Sequence, residues 1–139
     1  MKINWNIVKD QINKMVPYYK TIGMRLIELG NGQAKFELDV RKELTQSISV
    51  HGGVFASIID SACACATMSN DPKTFASSIN LQVAYLKPVT KGTLTCQAEV
   101  VKNGKNISFC EAKVWNEKDE LVATGSSQIM KVEIKRKFF

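Results

Sequence analysis

Between Leu44 and Asn70 the chain carries one formal charge, the carboxylate of Asp60. Around it the sequence reads His51-Gly52-Gly53-Val54-Phe55-Ala56-Ser57-Ile58-Ile59-Asp60-Ser61-Ala62-Cys63-Ala64-Cys65-Ala66. A carboxylate buried in such company gives up on the order of several kcal/mol of solvation unless it is paired or neutral. A desolvated acid is also a capable general base or nucleophile, so Asp60 is where the sequence points for chemistry. The expectation is a buried Asp60 on a buried helix.

The other reactive residue types offer less. The four cysteines, Cys63, Cys65, Cys96 and Cys110, form no Cys-x-x-Cys pair. The single histidine, His51, completes no zinc-ligand spacing with them. Cys63 and Cys65 point to different sides of a helix and cannot bridge each other, so the cysteines read as small core hydrophobes in a reducing compartment. No metal site is expected.

The net charge of +6 comes partly from Lys131, Lys135, Arg136 and Lys137 near the C-terminus, with a small cluster at Lys102-Asn103-Gly104-Lys105. A basic surface suits nucleic acid, an anionic membrane or a phosphorylated small molecule. No recognition helix, zinc finger or basic-aromatic RNA motif accompanies it, which argues against nucleic acid. The apolar stretch from Val54 to Met68 reads as too short to span a membrane, and Met1 to Trp5 shows no signal-peptide pattern. No membrane partner is expected, and the expected location is cytoplasmic.

These residues have to be positioned by the rest of the chain. Trp5, Val8, Ile12, Met15 and Val16 recur at helical spacing up to Pro17. Two strands, Gly23 to Leu29 and Ala34 to Val40, flank a turn at Gly30-Asn31-Gly32-Gln33. Arg41 to Val50 reads as a loop. From Gly52 to about Met68 the chain is apolar nearly all round, the pattern of an enclosed helix, closed by Asn70-Asp71-Pro72. Four strands follow: Phe75 to Leu86, Thr93 to Val101, Ile107 to Trp115 and Leu121 to Val132. Asn103-Gly104 and Asn116 to Glu120 supply hairpin turns between the last three. At 139 residues, without repeat or linker, a single domain is expected. One helix wrapped by an antiparallel sheet is the simplest architecture that encloses such a helix.

His51-Gly52-Gly53, an acid nine residues after the histidine, and a strand ending in Tyr85-Leu86-Lys87-Pro88 together resemble the hotdog-fold acyl-CoA thioesterases of the phenylacetate-pathway type. The resemblance covers roughly residues 22–132. It implies an α+β hotdog fold, an antiparallel sheet around one long central helix, here with an extra N-terminal helix at about residues 4–16. It also implies a catalytic role for Asp60, as nucleophile or as general base on water. The Gly52 N–H at the helix start becomes the first choice for the oxyanion donor and Gly53 the second, since unpaired N–H groups and the helix dipole favour negative charge there. His51 would position the helix start, and Ser78 falls where relatives carry a hydroxyl that holds the attacking water. Lys102, Gly104 and Lys105 fall where relatives place basic residues against coenzyme A phosphates.

The chain departs from the family pattern in one loop. Many relatives carry Asn or Gln six residues before the histidine; here that position is Thr45, with Gln46 one residue later, and Ile48 stands where Gly is common. Thr45 or Gln46 would have to take over the substrate contact. The reading is an acyl-CoA thioesterase, with no cofactor beyond the coenzyme A of its substrate, working as a homodimer or a dimer of dimers. The alternative is a non-catalytic acyl-CoA-binding module, a sensor or scaffold. A hotdog dehydratase ranks last, because its His and acid arrangement is not found.

Overall fold

The computed structural model describes residues 2–134. Lys135, Arg136 and Lys137 of the expected basic tail lie outside the described residues. Helix α1 spans Trp5–Met15 and is capped by Asn4, whose Oδ1 accepts from the Asn6 and Ile7 N–H groups. Pro17 ends α1 but also starts a second helix, α2 (Pro17–Ile22), which the sequence reading treats only as a stop. A proline fits the first turn of a helix, where its missing N–H costs nothing. Gly23 closes α2 in the left-handed conformation, φ 82°.

Six strands follow the helices in one antiparallel sheet: β1 (Met24–Gly30), β2 (Gln33–Asp39), β3 (Thr74–Tyr85), β4 (Thr93–Asn103), β5 (Ile107–Trp115) and β6 (Leu121–Glu133). Their spatial order is β1-β2-β4-β5-β6-β3. The alternation read in β2 holds: Ala34, Phe36 and Leu38 are buried, and Gln33 and Asp39 are exposed. Helix α3 (Gly52–Asn70) lies across the inner face, against all six strands. Gly125 on β6 allows the closest approach, since a Cβ there would sit 2.7 Å from Ile59 Cγ2 and 3.0 Å from the Gln82 carbonyl oxygen.

At 19 residues, α3 is long and apolar enough to cross a membrane, which corrects the shorter run read from the sequence. Ten of its residues are nonetheless buried against the sheet, which satisfies that apolar surface within the fold. A stripe along Gly53, Ser57, Asp60, Ser61, Ala64 and Met68 is only partly covered.

The two sheet edges differ. Along β1, the Asn13 side chain stands in for a neighbouring strand: its Oδ1 accepts from Leu26 N–H at 2.8 Å and its Nδ2 donates to Leu26 O at 2.9 Å. The β3 edge has no such cover among the described residues. It is 12 residues long, contains no Lys or Pro, and exposes Phe75, Ile79 and Tyr85. Long, uncharged, open edges are templates for pairing with another strand.

Candidate active site

Asp60 is half-buried rather than buried, which corrects the sequence expectation. It lies on the stripe of α3 that the single sheet covers only in part, at the β3 edge. Its Oδ1 accepts from Ser78 Oγ at 2.6 Å, a short bond of the charge-assisted kind. Ser78 shares with Ala76, by plain alternation, the face of β3 that meets α3; the bulge that follows it, where Ser78 pairs with Ile129 and Asn80 with Gln128 and Ile79 is the extra residue, passes that face on to Leu81, Val83 and Tyr85. Acid and hydroxyl, 18 residues apart in sequence, are thus brought together.

A second cluster forms at the N-terminus of α3. His51 is the N-cap, and its Nδ1 accepts from Gly53 N–H at 2.9 Å. That bond places the neutral ring's proton on Nε2. The His51 N–H donates to Leu44 O, and His51 O accepts from Val54 N–H at 2.9 Å. Tyr85 Oη donates to Gly52 O at 2.9 Å. Two consecutive peptide units therefore present four polar groups, of which three are engaged. Among the described residues the Gly52 N–H has no acceptor. Gly53, the second choice as oxyanion donor, has its N–H committed to His51; Gly52 keeps its own free.

The loop before His51 folds into a tight hairpin, with Thr45 bridged to Val50 and Gln46 N–H donating to Ser49 O. Thr45 Oγ1 donates back to Lys42 O at 2.7 Å, so the hydroxyl's proton is already engaged. The Gln46 side chain is exposed, and Ile48 at the tip is 77% exposed. Lys102, Gly104 and Lys105 sit elsewhere. Lys131, read from the sequence as part of a basic tail, is instead on β6 with its side chain only 5% exposed; it lies 3.8 Å from Asp71 and donates to Asn103 Oδ1. These contacts tie the tip of the β4–β5 hairpin to the C-terminal end of α3. Gly104 is needed in that tip because a Cβ would meet the Ile107 carbonyl oxygen at 2.5 Å.

The site residues therefore fall at three levels along α3, which at ~1.5 Å per residue is about 28 Å long. Gly52 is at its start, Asp60 about 12 Å further on, and the lysine hairpin at its end. One thioester carbonyl has to lie ~3 Å from both the attacking group and the oxyanion donor. A single copy of the chain does not bring Asp60 and the Gly52 N–H that close.

The cysteines are free and buried. Burial raises the Cys96 thiol and pushes Cys65 up to about 11. Cys63 on α3 contacts Cys110 on β5; this hydrogen bond and burial raise Cys63, and the same bond with Thr67 and Ser108 favours the Cys110 thiolate. Among the described residues no three His, Cys, Asp or Glu side chains gather as metal ligands. A groove of about 640 Å³ lies on the other face of the sheet beside Gln82, Glu99, Glu111, Lys113 and Trp115, with none of the site residues on its wall.

Residues 49–123 match the model of the Thioesterase superfamily, and they hold both His51-Gly52-Gly53 and Asp60. The chain belongs to the thioesterase superfamily. A candidate esterase of Archaeoglobus fulgidus is 30% identical over 127 residues, covering 90% of this chain and 81% of that protein. Acyl-coenzyme A thioesterase 13 of Mus musculus is 26% identical over 92 residues, covering 64% of this chain and 66% of that one. Among solved structures, the E. coli PaaI protein from the phenylacetic acid degradation operon superposes with a TM-score of 0.84 at 23% identity, over 92% of each chain. The fold of this superfamily member is the hotdog, as the sequence resemblance implied.

Sequence reading missed two features of the site. Tyr85 enters the sequence reading only as part of a strand-end motif, whereas its hydroxyl reaches the first carbonyl of α3. Tyr18 was not considered, yet its hydroxyl lies 2.6 Å from Ser57 Oγ, one helical turn before Asp60. Contacts between residues 33 and 39 positions apart leave no local pattern to read.

Proposed function

We propose that this superfamily member is an acyl-CoA thioesterase whose site forms between two copies of the chain. One observation carries the reading: α3 offers an unengaged N–H at Gly52 and an accessible carboxylate at Asp60. Their separation of about 12 Å along the helix closes if two α3 helices run antiparallel, so that Asp60 of one protomer lies level with the partner's Gly52. The open β3 edge offers the surface for such a pairing, and a two-fold axis gives two equivalent sites.

In that site the thioester oxygen points at the Gly52 N–H, where the helix dipole adds to the hydrogen bond as negative charge develops. Asp60 either attacks the carbonyl carbon, giving a mixed anhydride that water then opens, or takes a proton from the water that attacks. In both routes the C–S bond breaks, coenzyme A leaves as thiolate and is protonated, and the acid is released. Ser78 holds the Asp60 carboxylate in one orientation, and His51 shapes the helix start by accepting from Gly53. Lys102 and Lys105, at the far end of the helix and about 15 Å beyond Asp60, meet the coenzyme A phosphates as point charges.

A second reading, acyl-CoA binding without turnover, is favoured by one observation: the Thr45 hydroxyl is spent on Lys42 O and leaves that loop without its usual polar contact. Thiol release by the purified protein with short, long and aromatic acyl-CoAs separates the two. Turnover on any of them supports the thioesterase. Tight binding of a non-hydrolysable acyl-CoA, with no thiol released from any thioester, supports the binding module.

A further inference from the structure

We infer that Tyr85 is a positioning residue for the oxyanion donor: its hydroxyl locks the Gly52–Gly53 peptide and so aims the Gly52 N–H. The inference rests on the proposed role of that N–H. Two consecutive glycines are the least constrained way to begin a helix, since neither restricts φ and ψ as a Cβ would. A donor carried on such a segment wanders unless something else fixes it, and preorganisation is what makes such a donor effective.

The structure supplies that fixing from outside the helix. The peptide unit after Gly52 is held at both ends, its oxygen by Tyr85 Oη at 2.9 Å and its N–H by His51 Nδ1 at 2.9 Å. The unit before Gly52 is held through the His51 carbonyl, which accepts from Val54 N–H. With both planes fixed, the direction of the one remaining free group is fixed as well.

The Tyr85 ring is itself seated. It meets Phe55 edge-on at 5.9 Å between centroids and lies over Gly52, where a Cβ would come within 3.0 Å of Oη and 3.1 Å of Cζ. Glycine at position 52 is therefore what lets the tyrosine approach. Tyr85 ends β3, the strand that also carries Ser78. One strand would then orient both halves of the chemistry, Asp60 through Ser78 and the oxyanion donor through Tyr85.

Tyr85→Phe keeps the ring and removes only the hydrogen bond. Its kcat for the best acyl-CoA is expected to fall about tenfold, with KM within about twofold, as for a group that acts only on the transition state. Backbone 15N order parameters at Gly52 and Gly53 are expected to fall from the rigid range near ~0.85 toward the flexible range below ~0.6, while those from Ile58 to Ala66 stay unchanged. The order parameters read the holding role even in a protein that turns nothing over. Unchanged order parameters overturn the inference, whatever the activity does. Loosened glycines with wild-type kcat, or a change confined to KM, overturn the link to catalysis. If Asp60→Asn abolishes turnover while Tyr85→Phe is silent in both measurements, the thioesterase reading stands and only this inference fails.

Discussion

Ser78 is the residue whose contribution follows most directly from a single contact in the site. Its hydroxyl donates to Asp60 Oδ1 at 2.6 Å from the face of β3 that meets α3, just before the bulge at Ile79. Ser78→Ala deletes one hydrogen bond to a charged acceptor, worth about 1.5–3 kcal/mol in general. Both partners are open to water, which replaces part of the loss, so the lower end applies. If that energy holds the carboxylate in its attacking orientation, about 1.4 kcal/mol corresponds to tenfold in rate. The variant should retain the fold and lose roughly tenfold in kcat/KM for acyl-CoA. Stopped or continuous thiol-release assays of wild type, Ser78→Ala, Asp60→Asn and the double variant form a cycle. Since Ser78 acts through Asp60, the double variant should be no slower than Asp60→Asn alone. Full additivity, or a Ser78→Ala enzyme within twofold of wild type, refutes the reasoning.

Two further expectations concern assembly and pH. Ile79, half exposed in the open β3 edge, becomes an edge charge in Ile79→Lys; the wild type should sediment as a dimer or larger and the variant as a 15.5 kDa monomer without turnover. A wild type that sediments as a monomer while fully active would contradict the shared site. Cys65 is buried, and its thiol is pushed up to about 11 from the ordinary 9.0, chiefly by burial. Its folded form keeps the proton longer than the unfolded form, so this contribution is whole below about pH 9 and is lost as pH rises to about 11. The loss is on the order of 3 kcal/mol beyond what the raised Cys63 and Cys96 thiols bring to both proteins, so denaturant midpoints under reducing conditions should fall further for wild type than for Cys65→Ala. Parallel losses in the two proteins would refute it.

Much of the architecture was legible because local patterns and the fold agree. The strict alternation in β2 and the Ala- and Cys-rich run of α3 match what the structure builds, whereas the turn read at Asn103-Gly104 falls two residues later, at Lys105-Asn106, because Asn103 pairs with Ser108 and the Gly104 N–H with Ile107 O. The proline at position 17 misled because the same residue that stops one helix suits the first turn of the next. Asp60 read as buried because periodicity reports how apolar a helix is, not which stripe a single sheet covers only in part. Lys131 read as tail charge, yet strand β6 carries it under the end of α3, where Asp71 and Asn103 receive it. Ser78 stands out only through family resemblance, as a hydroxyl for the attacking water; its bond to Asp60, 18 residues away, leaves no trace in the sequence. The Tyr85 bond to Gly52 O was not legible at all, since it depends on where β3 passes the helix start.

The proposed site depends above all on Asp60 doing the chemistry on an acyl-CoA thioester. The most direct measurement compares wild type and Asp60→Asn on the best thioester of the panel, with binding of a non-hydrolysable analogue as control. The account predicts at least a ~100-fold fall in kcat, about 2.7 kcal/mol of barrier, with analogue affinity nearly unchanged. An Asp60→Asn protein that hydrolyses acyl-CoA at the wild-type rate would contradict it.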